Sequence, residues 1–284
     1  MNTMPCRTTP AAAVRNQRTQ YQRIPMFTSA AQRNFLCILA LLFVASLSVT
    51  LAWGGAMADM DAGLPMPGGW TLSMAWMPVC GQSWATAMAS FIGMWSVMTV
   101  AMMLPAVAPM LWHWRQTIHH TTPDVWMLLA ASGYFAIWIG LGLAIFVLGA
   151  AMSELMLREM ALARKVPIVA GMAVLGGGVF QLSRWKARHL ASCRDMPAGC
   201  AEIKPGIGPA LRYGLRYGWN CIKSCAGLMV ILLAIGVMNI WAMMLITLAI
   251  AMERLMPEGR RIAGLTGVAA IAAGLCLLLQ SVWF

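Results

Sequence analysis

Long apolar runs without charge constrain this chain more than any other feature of its sequence. A run of about 18 or more such residues is long enough to cross a bilayer as a helix. The chain has 60% apolar and only 10% charged residues, against about 25% charged in an ordinary soluble domain. We therefore predict an all-α polytopic membrane bundle of about six transmembrane helices. The runs are roughly 35–53, 85–112, 125–151, 167–182, 221–252 and 262–284.

The domain division follows from these runs. Residues 1–34 form a basic tail that we expect in the cytoplasm, and residues 35–284 form a single transmembrane domain. The fifth run has 32 residues, which as one helix would be about 48 Å long at about 1.5 Å per residue. The hydrocarbon core is about 30 Å thick. We therefore expect the first turns of that helix, from about Asn220, to project into the membrane interface.

The first run allows two interpretations. Ala56-Met57-Ala58 resembles a signal-peptidase site behind a basic tail. A signal sequence, however, has an apolar stretch of about 7–15 residues, and this run is longer. We favour an uncleaved first helix.

The loops carry unequal numbers of Lys and Arg, which predicts the orientation. Residues 1–34, 113–124 and 183–219 together hold thirteen, and the loops expected on the other side hold six. The expected location is a bacterial inner membrane, crossed several times, with both termini in the cytoplasm. The net charge of +11 thus reflects orientation, with the anionic lipid bilayer as partner. It does not indicate nucleic-acid binding, because basic residues do not alternate with aromatic ones on a soluble module.

Sulfur and imidazole donors are concentrated at the expected cytoplasmic end, where thiols stay reduced and ligand chemistry is favoured over disulfides. His189 and Cys193 are four residues apart, and Cys221, Cys225 and Met229 follow the same helical spacing. Thiolates and thioethers select Cu(I), whereas three thiolates with an imidazole also suit Zn(II). We therefore expect one metal shell from His189, Cys193, Cys221 and Cys225. Ordinary helix packing and an interfacial turn are the structural alternatives.

Basic neighbours modify this expectation. Arg188 and Arg194 flank the His189–Cys193 segment, and Lys223 lies beside Cys221. Positive charge favours the thiolate, so we expect these residues to lower the pKa of the thiols.

Methionine is unusually frequent, with 26 residues. Met94, Met98 and Met102 form an i+4 ladder in the second run, and the expected outer loop adds Met57, Met60, Met66, Met74 and Met77. Thioethers bind Cu(I), but methionine is also an adaptable apolar filler. We retain Met98, Met102 and Met229 as candidate Cu(I) ligands.

Several function classes lack their usual residues. Glu253 and Asp124 lie at the ends of runs, whereas ion-coupled carriers place carboxylates inside the membrane. The sequence has no Walker loop, no G-x-S-x-G and no H-E-x-x-H. These observations disfavour a secondary transporter and an enzyme.

Three stretches together resemble a family of predicted metal-binding integral membrane proteins from bacteria, whose members are sometimes called copper chaperones. The resemblance covers roughly 85–257. The stretches are Trp95 to Pro105 with Pro109-Met110; Phe180 to Ser183 with Lys186, Cys193, Arg194 and Pro197; and Cys221, Cys225, Leu228-Met229, Gly236 to Asn239, Trp241, Glu253 and Pro257.

The chain departs from the family pattern at two positions. The family usually has a cysteine where this chain has His189, and adjacent cysteines where this chain has Ser224 before Cys225. Because serine is a poor ligand for a soft metal, these changes imply a weaker or retuned site.

The resemblance and the donors imply a membrane protein that binds Cu(I) and hands it over, with a copper enzyme under assembly as the expected partner. A metal permease, with the methionine ladder as its path, is the first alternative. A structural assembly subunit without metal is the second.

Overall fold

The chain is an all-α bundle, as the apolar runs predict. The computed structural model describes residues 30–59, 63–66, 70–73, 78, 81–117, 123–199, 206–237 and 239–283. Six of the described helical stretches are long and apolar enough to cross a membrane. The elements in chain order are α1 Ala30–Asp59, β1 Gly63–Met66, β2 Trp70–Ser73, α2 Trp84–Thr117, α3 Pro123–Arg158, α4 Met160–Ala163, α5 Val166–Leu182, α6 Arg184–Gly199, α7 Ile207–Ile235, α8 Ile240–Leu255 and α9 Gly259–Trp283. The two strands form a short antiparallel hairpin.

The fifth apolar run is not one helix, and the prediction of a continuous helix there is wrong. α7 already begins at Ile207, and it ends at Ile235 before Gly236, whose φ of 122° is unfavourable for residues with a side chain. Asn239 then starts α8, because its side chain accepts a hydrogen bond from the Ala242 backbone N–H at 3.0 Å. Apolar residues surround this turn, so the run looks uninterrupted in the sequence.

The first three long helices alternate in direction. Contacts join the start of each helix to the end of the next, which makes α1 antiparallel to α2 and α2 antiparallel to α3. The contacts are Phe35 with Trp112 and Trp53 with Gly93 between α1 and α2, and Phe91 with Phe146 and Trp95 with Trp138 between α2 and α3.

Close glycine contacts fix the directions of the remaining helices. α7 is parallel to α3, α5 is antiparallel to α7, and α9 is antiparallel to α5; small residues allow such close approach between helices. Between α3 and α7, Ala130 contacts Gly214 and Tyr134 contacts Gly218. Between α5 and α7, Gly177 contacts Ile231 and Phe180 contacts Gly227. Between α5 and α9, Gly171 contacts Leu278 and Gly178 contacts Ile271.

α8 runs in the same direction as α5. Its first residue, Ile240, contacts Gly54 near the end of α1, and Glu253 near its last turn contacts Gln181 at the end of α5. The start of α1 and the end of α9 therefore lie at opposite ends of the bundle. The location of both termini in the cytoplasm, which assumed a single helix in the fifth run, stays a prediction.

The core is built around α2. Its candidate span is 61% buried, whereas the candidate spans in α1, α3 and α9 are each 17% buried. The α2 side chains Trp95, Met98, Met102, Met103 and Met110 are all buried. This arrangement places methionine sulfur in the centre of the bundle, next to the cysteines of α7.

Candidate metal site

Three cysteine thiols from two helices lie in one buried region. α6 contributes Cys193, and α7 contributes Cys221 and Cys225, which lie one helical turn apart. All three are free and buried. We call these three residues the thiol site. It lies where α5 and α8 end, beneath α6.

Arg254, the next-to-last residue of α8, connects two of these thiols. Its Nη2 atom lies 2.8 Å from Ser224 Oγ and 3.7 Å from both Cys193 Sγ and Cys225 Sγ. The Ser224 hydroxyl is in turn 3.8 Å from each of the same two sulfurs. A buried cation therefore faces two sulfurs, where it stabilises negative charge on them.

Cys221 faces the neighbouring helices. Its Sγ lies 3.0 Å from the Tyr134 hydroxyl of α3 and 4.0 Å from the Met103 Sδ of α2. Cys221 is thus the point where the thiol site meets the methionines of α2.

A buried ion pair holds the end of α8 in place. Lys186 Nζ of α6 lies 2.6 Å from Glu253 Oε2, and both side chains are almost completely inaccessible. Gln181 at the end of α5 donates to Glu253 at 2.9 Å and accepts from Lys186. Thr266 of α9 donates to Glu253 at 3.1 Å. Because Arg254 follows Glu253, this network also positions Arg254 against the sulfurs.

Burial dominates the electrostatics around α6. It lowers the pKa of Lys186 and raises the pKa of Cys193, although the positive charge of Arg254 opposes the second shift. We expected Arg188 and Arg194 to lower the pKa of Cys193, and the direction is the opposite. Arg188 is exposed, whereas the side chain of Arg194 lies outside the described residues.

The structure does not gather the four predicted ligands into a ready-made shell. In the part of the chain that the structure describes, no group of three or more His, Cys, Asp or Glu side chains is placed to hold a metal ion. His189 packs edge-on against Trp185, with ring centroids 4.2 Å apart. Ligation by His189, Cys193, Cys221 and Cys225 stays a prediction.

The methionine candidates are buried in two helices. Met229 lies on α7 one turn beyond Cys225, and Met98 and Met102 lie on α2. Met98 faces a cavity between α1, α2 and α8. The side chains of the methionines at 57, 60, 66, 74 and 77 lie outside the described residues.

Sequence reasoning missed Arg254 and the role of the Lys186–Glu253 pair. The sequence indicated these residues only by placing charges next to apolar runs. A charged residue that is buried in an apolar bundle needs a partner. The partner could not be read from the sequence, since 67 residues separate Lys186 from Glu253 and 61 separate Cys193 from Arg254.

Comparison with known proteins gives one match. The family model described as "PpoB2: Copper chaperone" matches residues 92–277, which include α5 to α8 and every residue of the thiol site. No curated protein and no solved structure matches the chain. Since the family model covers well over half of the sequence, the chain belongs to the PpoB2 copper chaperone family.

Proposed function

We propose that this protein binds Cu(I) as cargo at the thiol site and hands it to another protein in or at the bacterial inner membrane. The observation that carries the proposal is the convergence of Cys193, Cys221 and Cys225 on a buried region with an internal cation. Family membership supports copper handling. We expect the role to be one of binding and transfer rather than catalysis.

The donors suit Cu(I) better than they suit Zn(II). Thiolates and thioethers are soft ligands, and the site has thiols with the Met103 thioether at 4.0 Å from Cys221 Sγ. A closed structural zinc site takes four ligands in a tetrahedron. His189, the fourth candidate, packs on Trp185. Cu(I) is satisfied by fewer ligands, so Cys221 and Cys225 with one further sulfur suffice.

Charge balance explains why an arginine lies within the site. Two thiolates and one Cu(I) carry a net charge of −1, which is costly to bury without a counter-charge. Arg254 supplies that charge from 3.7 Å. The same guanidinium would repel a free cation, so metal enters most readily once the thiols have lost their protons.

We propose that α8 adds a seventh pass to the six candidate spans. α8 has 16 residues and would be about 24 Å long at about 1.5 Å per residue, somewhat shorter than the hydrocarbon core of about 30 Å, so we propose that it crosses as a short helix. Residues 253–261 then share a side with 183–219. The Lys and Arg distribution becomes sixteen cytoplasmic residues against three on the other side, a stronger asymmetry than six passes provide.

A metal permease is the second candidate. Met98 and Met102 are buried in the central helix, and the adjacent Met103 reaches the thiol site. A continuous row of sulfur ligands would support transport of Cu(I) across the bundle as well as binding of Cu(I) within it.

A transfer experiment separates the two functions. The protein in proteoliposomes is loaded with Cu(I), and a soluble Cu(I)-accepting protein is added outside, with uptake of external Cu(I) into empty vesicles measured in parallel. A chaperone transfers its bound Cu(I) to the acceptor and gives no uptake above that of protein-free vesicles. A permease accumulates Cu(I) inside. Absence of both bound Cu(I) and uptake would contradict both functions and favour an assembly subunit without metal.

A further inference from the structure

Basic side chains form a stripe along α7, at the end of the bundle that holds the thiol site. Arg212, Arg216 and Lys223 follow one another at helical spacing with Trp219 among them, so the four side chains share one helical face. Both arginines are exposed, and Trp219 is 53% exposed. Arg188 of α6 is a fourth cation and is also exposed. We call Arg188, Arg212, Arg216 and Lys223 the basic surface.

The cations of α6 and α7 meet around His189. Burial lowers the pKa of the His189 imidazole, and the positive charges of Lys223 and Arg188 lower it further. The His189 ring packs edge-on against Trp185, and Lys223 Nζ lies 5.4 Å from the centre of the Trp219 ring. Two cations and two tryptophan rings from different helices are therefore gathered at one place.

None of the carboxylates that the structure describes forms an ion pair with the basic surface. The ion pairs in the described ranges join these carboxylates to other cations, which are Arg115, Arg158, Lys186 and Arg261. α7 itself contains no Asp or Glu. Like charges that lie close together repel one another, so a bound anion would stabilise this arrangement.

The same face of α7 becomes apolar toward the other end of the bundle. Val230 lies two turns beyond Lys223 and is exposed, and the neighbouring helix α5 exposes Val179. Cations followed by apolar surface match a phospholipid, whose headgroup lies at the interface and whose chains lie in the hydrocarbon core. We propose that the basic surface binds the headgroup of an anionic phospholipid, with its phosphate against Lys223 and Arg188.

A membrane lipid fits this surface better than an acidic protein does. Trp185 and Trp219 are both exposed, and tryptophan is enriched where headgroups meet the hydrocarbon core. α7 is one of the candidate membrane spans, so the basic surface adjoins the bilayer. A phosphate between Lys223 and Arg188 also connects α7 to α6. The lipid thereby holds α6, which carries Cys193, against the rest of the bundle.

The test uses full-length protein in non-ionic detergent, freed of bound lipid and without copper. Native mass spectrometry compares the binding of phosphatidylglycerol with that of phosphatidylcholine with the same acyl chains. We expect phosphatidylglycerol to bind roughly 25-fold more tightly, because two basic residues near an anionic headgroup contribute about fivefold each. Lys223→Gln and Arg188→Gln should each remove one of these two factors. Equal affinity of the parent protein for the two lipids would overturn the proposal.

Two further variants separate a defined site from overall charge. Arg260→Gln is the matched control, since it removes an exposed arginine of α9 and should leave the lipid preference unchanged. If it reduced the preference as much as Lys223→Gln does, overall charge would explain the binding and the defined site would be wrong. Lys223→Arg retains the charge and should retain the preference. Thermal unfolding identifies any variant that fails to fold, and the exposed Arg188 keeps the test valid if Lys223→Gln does not fold.

The remaining comparison concerns the source of the anion. Polyglutamate and inorganic phosphate are each tested as competitors of phosphatidylglycerol, and we expect neither to displace it. Displacement by polyglutamate would assign the basic surface to an acidic protein, and displacement by inorganic phosphate would assign it to a free anion; either result would overturn the lipid site. Because copper is absent throughout, the outcome is independent of the proposed function.

Discussion

At the scale of single residues, Ser224 lies among the cysteine sulfurs although its hydroxyl is a poor ligand for a soft metal. Its hydroxyl lies 3.8 Å from both Cys193 Sγ and Cys225 Sγ, so it is in the middle of the thiol site. A hydroxyl is a poor ligand for a soft metal, and the hydroxyl hydrogen-bonds instead to Arg254 at 2.8 Å. The chain therefore holds a non-ligand where a further soft donor would fit.

Replacing this hydroxyl with a thiol should strengthen the site. We expect Ser224→Cys to tighten Cu(I) binding roughly tenfold, or about 1.4 kcal/mol, because one more soft donor faces the metal. Competition with a Cu(I) chelator measures the change. Ser224→Ala is the matched control, since it removes the hydroxyl without adding a donor. Equal affinities for the two variants would show that position 224 does not face the metal.

The sequence predicted the cysteines of α7 but not their surroundings. The i, i+4 spacing of Cys221 and Cys225 is local information, and it places both thiols on one helical face. Arg254 and Tyr134 are brought to the same place by packing between helices. Such contacts depend on how the helices pack, and the sequence did not reveal that the fifth apolar run is divided into α7 and α8.

At the scale of elements, the end of α8 depends on the Lys186–Glu253 pair. Both side chains are buried, and the pair connects α6 to α8 while Gln181 and Thr266 add α5 and α9. Removing one partner would leave an uncompensated charge in the buried interior, which is costly.

Neutralising the acid should therefore destabilise the bundle. We expect Glu253→Gln to lower the free energy of unfolding by about 3–5 kcal/mol, measured by chemical denaturation in detergent. Glu258→Gln is the control, because the Glu258–Arg261 pair is exposed and its loss should change stability little. Removing both buried charges with Lys186→Met and Glu253→Gln should recover much of the loss. If Glu253→Gln and Glu258→Gln lowered the free energy of unfolding equally, this would contradict the view that the buried pair holds α6 and α8 together.

The sequence predicted where helices occur. It did not predict that one apolar run contains two helices. A charge-free run long enough to cross a bilayer identifies a span from composition alone. The break between α7 and α8 rests on one positive φ at Gly236 and one capping side chain at Asn239. Both residues lie among apolar neighbours, so hydropathy is uninformative there.

At the scale of the whole molecule, this break changes the orientation of everything after it. In the proposed seven-pass arrangement, the turn between α8 and α9 lies on the same side as α6, which we expect to be the cytoplasm. Arg254, Arg260 and Arg261 then add to the cytoplasmic charge. We expect the thiol site at that same cytoplasmic end, where thiols stay reduced.

Reporter fusions test this arrangement. We expect fusions after residues 205 and 258 to report the cytoplasm, because Glu253 contacts Lys186 across the two segments. Fusions after residue 160 should report the opposite side, since α3 separates it from residue 118. A fusion after 258 that reports the periplasmic side would contradict the seven-pass arrangement.

The central claim is that the buried cysteines hold Cu(I), and the affinity of the purified protein for Cu(I) tests it most directly. The measurement is anaerobic competition with a Cu(I) chelator. Cys221→Ser and Cys225→Ser should each abolish high-affinity binding, whereas Cys276→Ser, which changes an exposed cysteine of α9, should leave it unchanged. Met229→Leu should leave folding intact and weaken Cu(I) binding. A combined Cys221 and Cys225 variant that binds Cu(I) as tightly as the parent would contradict the account.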